Sequence, residues 1–145
     1  MIKKILIFTL TSLLTKKYYA IWISGTLNVT ATLDCIESEG DVIITNGTLN
    51  FSARNDGVQA ALDLTVDGGK INITKSVAGL ESKANLIINS GTLTITASDD
   101  ALNTGTGLTI NGGTLTLSAN ADAIDSNGPI NLNGGYTVAY GGNLV

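Results

Sequence analysis

One spacing limits the possible folds of this chain more than any other feature: six glycines recur every 22 residues without an insertion. They are Gly25, Gly47, Gly69, Gly91, Gly113 and Gly135. Aligning the segments on these glycines brings apolar residues into shared columns, such as Leu49 with Ile71 and Phe51 with Ile73. Self-similarity at a period of about 20 to 50 residues is typical of repeat proteins, in which each repeat stacks on its neighbours. The spacing therefore predicts a solenoid with 22-residue rungs.

Within each repeat, apolar residues alternate with Thr, Asn or Ser, which is the period of half-buried strands. Each repeat accommodates three short strands, as in 108–110, 114–118 and 123–125, separated by turns such as Asn111-Gly112-Gly113. Stacking each strand on its equivalent in the next repeat satisfies every column at once. The predicted fold is all-β: a single-stranded parallel β-helix of about five rungs. Its right-handed sense is taken from the crossover rule for parallel strands together with the family resemblance given below, and not from any column.

Two further sets of columns support stacking. The position ten residues after each of the first five glycines is small, which predicts a tight corner and makes Cys35 a small packed residue there. That column contains Cys35, Gly57, Gly79, Ala101 and Ala123. Asn residues also recur in register, and they predict hydrogen-bonded amide ladders along the stack. The two Asn columns are Asn28, Asn50 and Asn72, and Asn89, Asn111 and Asn133.

Residues 1–20 are predicted to be an export signal, because Lys3 and Lys4 precede an apolar stretch too short to span a bilayer. The alternative is a degenerate first turn of the solenoid, since Ile5, Ile7 and Leu14 fit the core columns. Residues 21–145 are expected to form the β-helix domain, truncated at its C-terminal end. A rung without a cap exposes strand edges, so we expect the isolated chain to self-associate end to end, or to be soluble only with a C-terminal extension.

Composition excludes several classes of function. The chain has no His, which excludes a His-dependent catalyst and a His-containing zinc site. Its single Cys excludes a disulfide scaffold. From residue 18 onward, four basic residues stand against twelve acidic ones, a net charge of −8. A body that acidic repels phosphate backbones, so we expect no nucleic-acid partner.

Three stretches carry a family resemblance: Gly-Gly-Thr-Leu-Thr-Leu-Ser-Ala at 112–119, Ala-Asp-Ala-Ile-Asp-Ser-Asn-Gly at 121–128 and Ile-Asn-Leu-Asn-Gly-Gly at 130–135. They resemble secreted bacterial carbohydrate-binding domain proteins with a polysaccharide-lyase-like right-handed β-helix. The resemblance covers roughly residues 23–140. It implies a secreted or cell-surface protein that binds plant cell-wall polysaccharide, such as polygalacturonate or cellulose, without catalysis and with bound calcium.

An acidic column is the strongest chemical signal in the residues themselves. Stacked carboxylates about 4.8 Å apart repel each other, and Ca²⁺, which takes 6–8 oxygen ligands, would offset that repulsion. The richer predicted calcium cluster is Asp99, Asp100, Asn103, Asp122 and Asp125, and a weaker one is Asp34, Glu37 and Asp56. The alternative is that each Asp accepts backbone N–H bonds as a turn cap.

No residue is predicted to be catalytic. Asp99, Asp100 and Asp122 superficially resemble the carboxylate pair of a glycoside hydrolase, but the acidic pattern recurs in most rungs, whereas a catalytic motif should be singular. A lyase would need a basic residue beside calcium, and Arg54 lies away from the richer cluster. A structural, adhesin-type surface rod is the second hypothesis, and a lyase-like enzyme is the third.

Aromatic residues suited to sugar stacking are few. Tyr136 and Tyr140 fall in outward columns on either side of Val138, and they are the candidate carbohydrate-binding residues. A slip of one residue in this last strand would instead turn them into the core. Trp22 is predicted to be equivalent to Ile44 and to pack beneath the first full rung.

Overall fold

A computed structural model describes residues 6–10, 15–16 and 19–142. Alternating apolar and polar residues form strands there, and no helix occurs within the described ranges. The strands are β1 (Leu6–Leu10), β2 (Thr15–Lys16), β3 (Tyr19–Ala31), β4 (Ile36–Ser38), β5 (Val42–Ala53), β6 (Val58–Ala60), β7 (Leu64–Val66), β8 (Lys70–Lys75), β9 (Leu80–Ser82), β10 (Asn85–Ile88), β11 (Thr92–Ala97), β12 (Leu102–Thr104), β13 (Gly107–Ile110), β14 (Thr114–Ala119), β15 (Ile124–Ser126), β16 (Ile130–Leu132) and β17 (Tyr136–Tyr140).

The strands form two sheets in which every pairing is parallel. The first is an eleven-stranded sheet with the order β16-β13-β10-β7-β5-β8-β11-β14-β17, in which β3 also pairs with β5 and with β1. Its two rows meet in β5, whose first residues pair with β7 and whose last residues pair with β8. We call the row β3-β5-β8-β11-β14-β17 the long row. The second sheet has six strands in the order β15-β12-β9-β6-β4-β2.

The register confirms the 22-residue rung. Ile71 pairs with Leu93, and Leu93 pairs with Leu115, so each residue lies beside its equivalent one rung away. The predicted solenoid of about five rungs with three strands per rung is therefore confirmed.

Two register predictions near the N-terminus were wrong. Ile7 lies opposite Asn28 and not in the Val29 column, because β1 pairs with β3 at a spacing of 21 residues. Ile21, and not Trp22, lies opposite Ile44, because the register shifts between Ile21 and Trp22 and places Trp22 opposite Asn46. A column counted from sequence spacing does not record such irregularities.

The core is a continuous stack of the inward columns. Leu49, Phe51, Ile71, Ile88 and Leu93 are among its largest side chains, each at most 1% exposed. In β11 the burial alternates strictly between exposed Thr and buried apolar residues, as the two-residue period requires. The predicted core columns are confirmed from Leu27 to Ile124.

The recurring glycine is required by the turn that joins the two rows of the large sheet. Gly47, Gly69, Gly91, Gly113 and Gly135 all have positive φ values, between 85° and 109°. L-residues rarely adopt that conformation, whereas Gly does so without steric cost. The turn is also crowded, since a Cβ on Gly69 would lie 2.8 Å from the carbonyl oxygen of Gly47.

The corner that precedes the six-stranded sheet is tight, as the small column predicted. A Cβ on Gly57 would lie 2.6 Å from the carbonyl oxygen of Gly79 and 2.5 Å from Cδ1 of Ile73. Cys35 is fully buried in the same column, and its Sγ lies 3.7 Å from the carbonyl oxygen of Val29. Burial raises the pKa of this thiol to about 12, which suits a packing residue and not a nucleophile.

The predicted export segment falls partly on residues outside the described ranges, including Ile5 and Leu14. Its described parts, β1 and β2, pair in parallel with β3 and β4. Whether this segment directs export stays a prediction. Across the described ranges, no helix has the length and apolarity needed to cross a membrane.

Candidate functional site

The acidic column lies along the corner that precedes the six-stranded sheet, and its carboxylates bond from rung to rung. Oδ1 of Asp34 accepts the N–H of Asp56 (2.8 Å), and Oδ1 of Asp56 accepts the N–H of Ala78 (2.9 Å). Oδ1 of Asp100 accepts the N–H of Asp122 (3.1 Å). The capping alternative is therefore observed in a modified form, because each carboxylate caps its equivalent in the next rung. The Oδ2 atoms of these side chains take no part in this ladder.

The richer acidic cluster, around Asp100, holds carboxylates with no neutralising cation among the described residues. Burial raises the pKa of Asp100, and the carboxylates of Asp99, Asp125 and Asp122 raise it further, against the lowering effect of the Asp122 N–H. Oδ1 of Asp122 is buried and has no hydrogen-bond partner in the part of the chain that the structure describes. A buried carboxylate oxygen left without a donor is energetically costly. This end of the ladder is therefore short of positive charge.

The weaker acidic cluster, around Asp56, is connected to neutral and basic side chains. Nε2 of Gln59 donates to Oε2 of Glu81 (2.7 Å) and lies 3.4 Å from Oδ2 of Asp56. The Lys83 ammonium forms an ion pair with Glu81. Burial, followed by the nearby Glu81 carboxylate, raises the pKa of Asp56 to about 7, although the Ala78 N–H opposes the shift. The pKa of Glu81 is lowered, because its bonds to Gln59 and Lys83 outweigh its burial.

The predicted metal residues lie where the columns placed them. Glu37, Gln59, Glu81, Asn103 and Asp125 pair successively along the six-stranded sheet. Nδ2 of Asn103 donates to Oδ2 of Asp100 (3.2 Å). Within the described residues, however, no group of three or more Asp, Glu, Cys or His side chains is arranged to hold a metal ion.

The donor chemistry of the richer cluster fits calcium, since carboxylate and amide oxygens are its preferred ligands. The arrangement alone does not supply a complete ligand set, because Ca²⁺ takes 6–8 oxygens. Water, backbone carbonyl or sugar oxygens would have to complete it.

Tyr136 and Tyr140 lie on the outer surface of the long row. β17 keeps the 22-residue register, with Tyr136 opposite Thr114 and Tyr140 opposite Ser118. The slip that would bury these rings does not occur, and they are 66% and 64% exposed. Both rings therefore share a face with the Thr and Ser side chains of β14.

The predicted amide ladders are confirmed. Nδ2 of Asn50 donates to Oδ1 of Asn28, and Nδ2 of Asn72 donates to Oδ1 of Asn50, both at 2.7 Å. The second ladder runs from Asp67 through Asn89 and Asn111 to Asn133, with bonds of 2.7 or 2.8 Å. The first ladder and the hydroxyl columns line the long row with groups that donate and accept hydrogen bonds, whereas the second ladder lies in the turns that lead into this row.

The chain was compared with known protein families, curated proteins and solved structures. Two overlapping stretches, residues 12–84 and 74–145, match the model of a family described as carbohydrate-binding domain-containing protein. The chain belongs to this family. No curated protein and no solved structure matches the chain. Membership in a carbohydrate-binding domain family supports a carbohydrate-binding role, with polysaccharide as the partner.

The structure also contains a second Asp ladder that the sequence analysis missed. Oδ1 of Asp41 accepts the N–H of Asp63 (3.1 Å), and Oδ1 of Asp63 accepts both the N–H (2.9 Å) and the side-chain amide (3.1 Å) of Asn85. The sequence does contain a signal for this ladder, namely the 22-residue spacing of Asp41, Asp63 and Asn85. This ladder caps the turn between the six-stranded sheet and the row β16-β13-β10-β7-β5 of the large sheet, and it shows that capping is a general use of Asp in this carbohydrate-binding domain.

Proposed function

We propose that the chain is a non-catalytic polysaccharide-binding protein, secreted or held at the cell surface, whose ligand is an acidic polysaccharide such as polygalacturonate, or cellulose. The observation that carries this proposal is the outer face of the long row. There, Asn, Thr and Ser side chains recur one rung apart and end at the exposed Tyr136 and Tyr140. A polymer with repeating hydroxyl groups is well matched by donors and acceptors that repeat along a straight face.

A non-catalytic role is supported by how the Asp side chains are used. Asp34, Asp56 and Asp100 each commit Oδ1 to a backbone N–H of the next rung. Because the same bond recurs along the stack, it serves the repeat and not a singular reaction centre. Assays for unsaturated sugar products on polygalacturonate should accordingly give no signal.

Calcium is the proposed structural or bridging ion. In the richer cluster, Asp99, Asp100, Asn103, Asp122 and Asp125 would supply its protein oxygens, and in the weaker cluster Asp34, Glu37 and Asp56 would. The proposal is supported by two features of the described residues: no positive charge lies around Asp100, and Oδ1 of Asp122 has no hydrogen-bond partner. When bound, the ion would neutralise these carboxylates and could accept further oxygens from an acidic sugar.

Pull-down on immobilised polygalacturonate and on cellulose, with millimolar calcium and with chelator, tests the function. We expect retention on at least one of the two polymers. The structural-rod hypothesis predicts no retention in either condition, so an unretained chain would favour an adhesin-type role.

End-to-end self-association is a further part of the proposal. Within the described ranges, β15, β16 and β17 are the last strands of their rows, and Leu132 beside this edge is 63% exposed. Open strand edges and apolar side chains favour pairing with another chain. Sedimentation velocity should show a weight-average mass that rises with protein concentration, and a concentration-independent monomer would contradict it.

A further inference from the structure

The two sheets differ sharply in charge. No strand of the eleven-stranded sheet contains an Asp or Glu within the described ranges. All twelve acidic residues of the chain lie instead in turns or on the six-stranded sheet. Lys70 and Lys75 lie on β8 of the large sheet, and Arg54 directly follows β5. Three of the four basic residues beyond residue 17 are thus on or beside the sheet without acids.

Lys75 reaches the outer face because of a β-bulge. By the 22-residue count it belongs to the inward column of Ala31, Ala53 and Ala97, whose side chains are at most 5% exposed. The pairing of β5 with β8 shifts by one residue after Phe51, so that Ser52 lies opposite Lys75 and not opposite Thr74. A shift of one residue moves a side chain to the other face of a strand, and bulges commonly redirect side chains in this way.

The redirected Lys75 is exposed, and so is Arg54. An unpaired ammonium in the apolar core would be strongly unfavourable, which explains why the strand bulges at this rung. The hydroxyl of Thr74, the extra residue of the bulge, donates to the carbonyl oxygen of Phe51 (3.3 Å). The bulge is therefore stabilised by a hydrogen bond of its own, and it places the Lys75 ammonium on the outer face of the sheet.

A groove lies beside this bulge at the ends of β3, β5 and β8. It has a volume of about 390 Å³, and its polar lining includes Thr30, Ser52, Arg54 and Lys75. A second concavity of about 240 Å³ shares Thr30 and Ser52 and extends to Asn28 and Asn50. We call the two together the Lys75 groove.

The cations of the Lys75 groove have no counter-ion among the described residues. In the part of the chain that the structure describes, the ion pair of Lys83 with Glu81 is the sole salt bridge, and neither Arg54 nor Lys75 makes one. The rung that carries Lys75 also lacks the ladder carboxylate, because Ala78 replaces Asp there. A protein with a net charge of −4 thus lines one groove with a guanidinium and an ammonium, and neither forms an ion pair within the described residues.

We propose that the Lys75 groove binds a carboxylate-bearing sugar unit of an acidic polysaccharide directly, through Arg54 and Lys75 and without a bridging metal ion. Guanidinium groups match carboxylate geometry, and such charge-assisted hydrogen bonds are stronger than neutral ones. The hydroxyls of Thr30 and Ser52 and the amides of Asn28 and Asn50 would contact the sugar hydroxyls. This inference rests on the proposed polysaccharide-binding function and names the charge class of the ligand and the residues that select it.

Titration calorimetry of the full chain in chelator tests the proposal, with three oligosaccharide probes. They are an oligogalacturonate, its fully methyl-esterified and hence neutral form, and a cello-oligosaccharide. We expect the wild type to bind the acid form at least ten-fold more tightly than the ester. Arg54→Gln combined with Lys75→Gln should weaken binding of the acid form at least ten-fold and leave the ester unchanged.

Two single variants serve as matched controls. Lys70→Gln removes the same charge from the opposite end of β8 and should change the affinity less than two-fold. Lys75→Arg keeps the charge and should retain binding. Thermal melts of every variant confirm that the fold is intact, which is expected because both groove cations are exposed.

Each remaining outcome decides against the proposal in a distinguishable way. Equal affinity for the acid and its ester, or loss of wild-type binding in chelator, would overturn direct carboxylate recognition while the polysaccharide-binding function stands. Binding of cello-oligosaccharide alone would do the same. No binding of any probe, together with no retention on polygalacturonate or cellulose, would overturn the proposed function itself.

Discussion

The acidic ladder has two halves built on the same backbone but balanced differently. In the first half, residues 25–90, Gln59 and Lys83 join Asp56 and Glu81 in a network that contains an amide and an ammonium. In the second half, residues 91–142, the carboxylates around Asp100 have no basic neighbour among the described residues, and Oδ1 of Asp122 has no hydrogen-bond partner there. The repeat fixes where each side chain lies, and the residues in the outward columns decide the charge there. Function is therefore expected to differ along a stack whose backbone does not.

The largest effect should come from the corner column, which also differs between the halves. It holds Cys35, Gly57 and Gly79 in the first half and Ala101 and Ala123 in the second. A Cβ on Gly79 would lie 2.5 Å from the carbonyl oxygen of Ala101 and would clash with Cγ2 of Ile95. Gly79→Ala should therefore lower the free energy of unfolding by about 3 kcal/mol.

Urea unfolding followed by circular dichroism measures this change. The matched control is Ala101→Gly in the second half, which should cost only about 1 kcal/mol through chain entropy and the lost methyl group. If both variants lose the same amount of stability, the two halves of the corner are equally tight and this distinction between them is wrong.

Calcium should act on the second half more than on the first. A ligand that binds only the folded state stabilises it by about 2.7 kcal/mol at 100 times its Kd. We expect excess calcium to raise the melting temperature of the wild type. Asp122→Asn should remove most of that response and keep the strand content, whereas Asp56→Asn should keep most of the response.

Thermal melts in chelator and in millimolar calcium compare the three proteins. The capping interpretation predicts the reverse: no calcium response in any of them, and Asp122→Asn as stable as the wild type or more so. A wild-type melt that is indifferent to calcium contradicts the calcium proposal and leaves the Lys75 groove as the route to acidic sugars.

Much of the fold could be read from the sequence because two requirements recur without interruption. The glycine spacing marks turns with positive φ, from Gly47 to Gly135, and the apolar columns mark the inward positions from Leu27 to Ile124. The acidic and amide columns were equally visible. Stacking the strands in register then places each Asp or Asn side chain next to its hydrogen-bond partner in the neighbouring rung.

The register shifts could not be predicted from the 22-residue spacing, because a bulge adds one residue to a strand without changing the length of the repeat. Lys75 stands in a column of Ala, yet it points outward after the register shift at Ser52. The same limit explains why Trp22 lies opposite Asn46. The ion pair of Lys83 with Glu81 also went unpredicted, because it joins residues two apart on one rung and leaves no column. A charged residue in a small apolar column is the signal that would have indicated the bulge.

The first half should show a distinct pH dependence. The pKa of Asp56 is raised to about 7 in the folded state, so the native chain holds this proton at pH values where the unfolded chain has released it. Stability from this group is therefore greatest below the ordinary Asp pKa of 3.8 and is lost as the pH rises through about 7. Asp56→Asn keeps an acceptor for the Ala78 N–H and removes the titrating group.

Chemical unfolding at pH values between 5 and 8, in chelator, measures this slope. The wild type should lose stability across that range, and Asp56→Asn should lose less and exceed the wild type at pH 8. Glu81, whose pKa is lowered, contributes stability that is lost only as the pH falls below its ordinary value of 4.5, so it does not affect this window. Parallel slopes for the two proteins would mean that Asp56 is ionised throughout.

The smallest predicted effect concerns the outward column of the long row, where the first half carries amides and the second half hydroxyls. Asn28, Asn50 and Asn72 are bonded in sequence, and the ladder stops at Thr94, which pairs with Asn72 in the register. Thr94→Asn would place a side-chain amide beside the unused Oδ1 of Asn72 and extend the ladder by one bond. We expect a gain of about 0.5 to 1 kcal/mol in the free energy of unfolding, the net contribution of a typical hydrogen bond.

A double-mutant cycle with Asn72→Thr isolates that bond, because the gain should vanish when Asn72 is absent. A gain that persists in the Asn72→Thr background would show that the substitution acts through strand preference and not through the amide ladder.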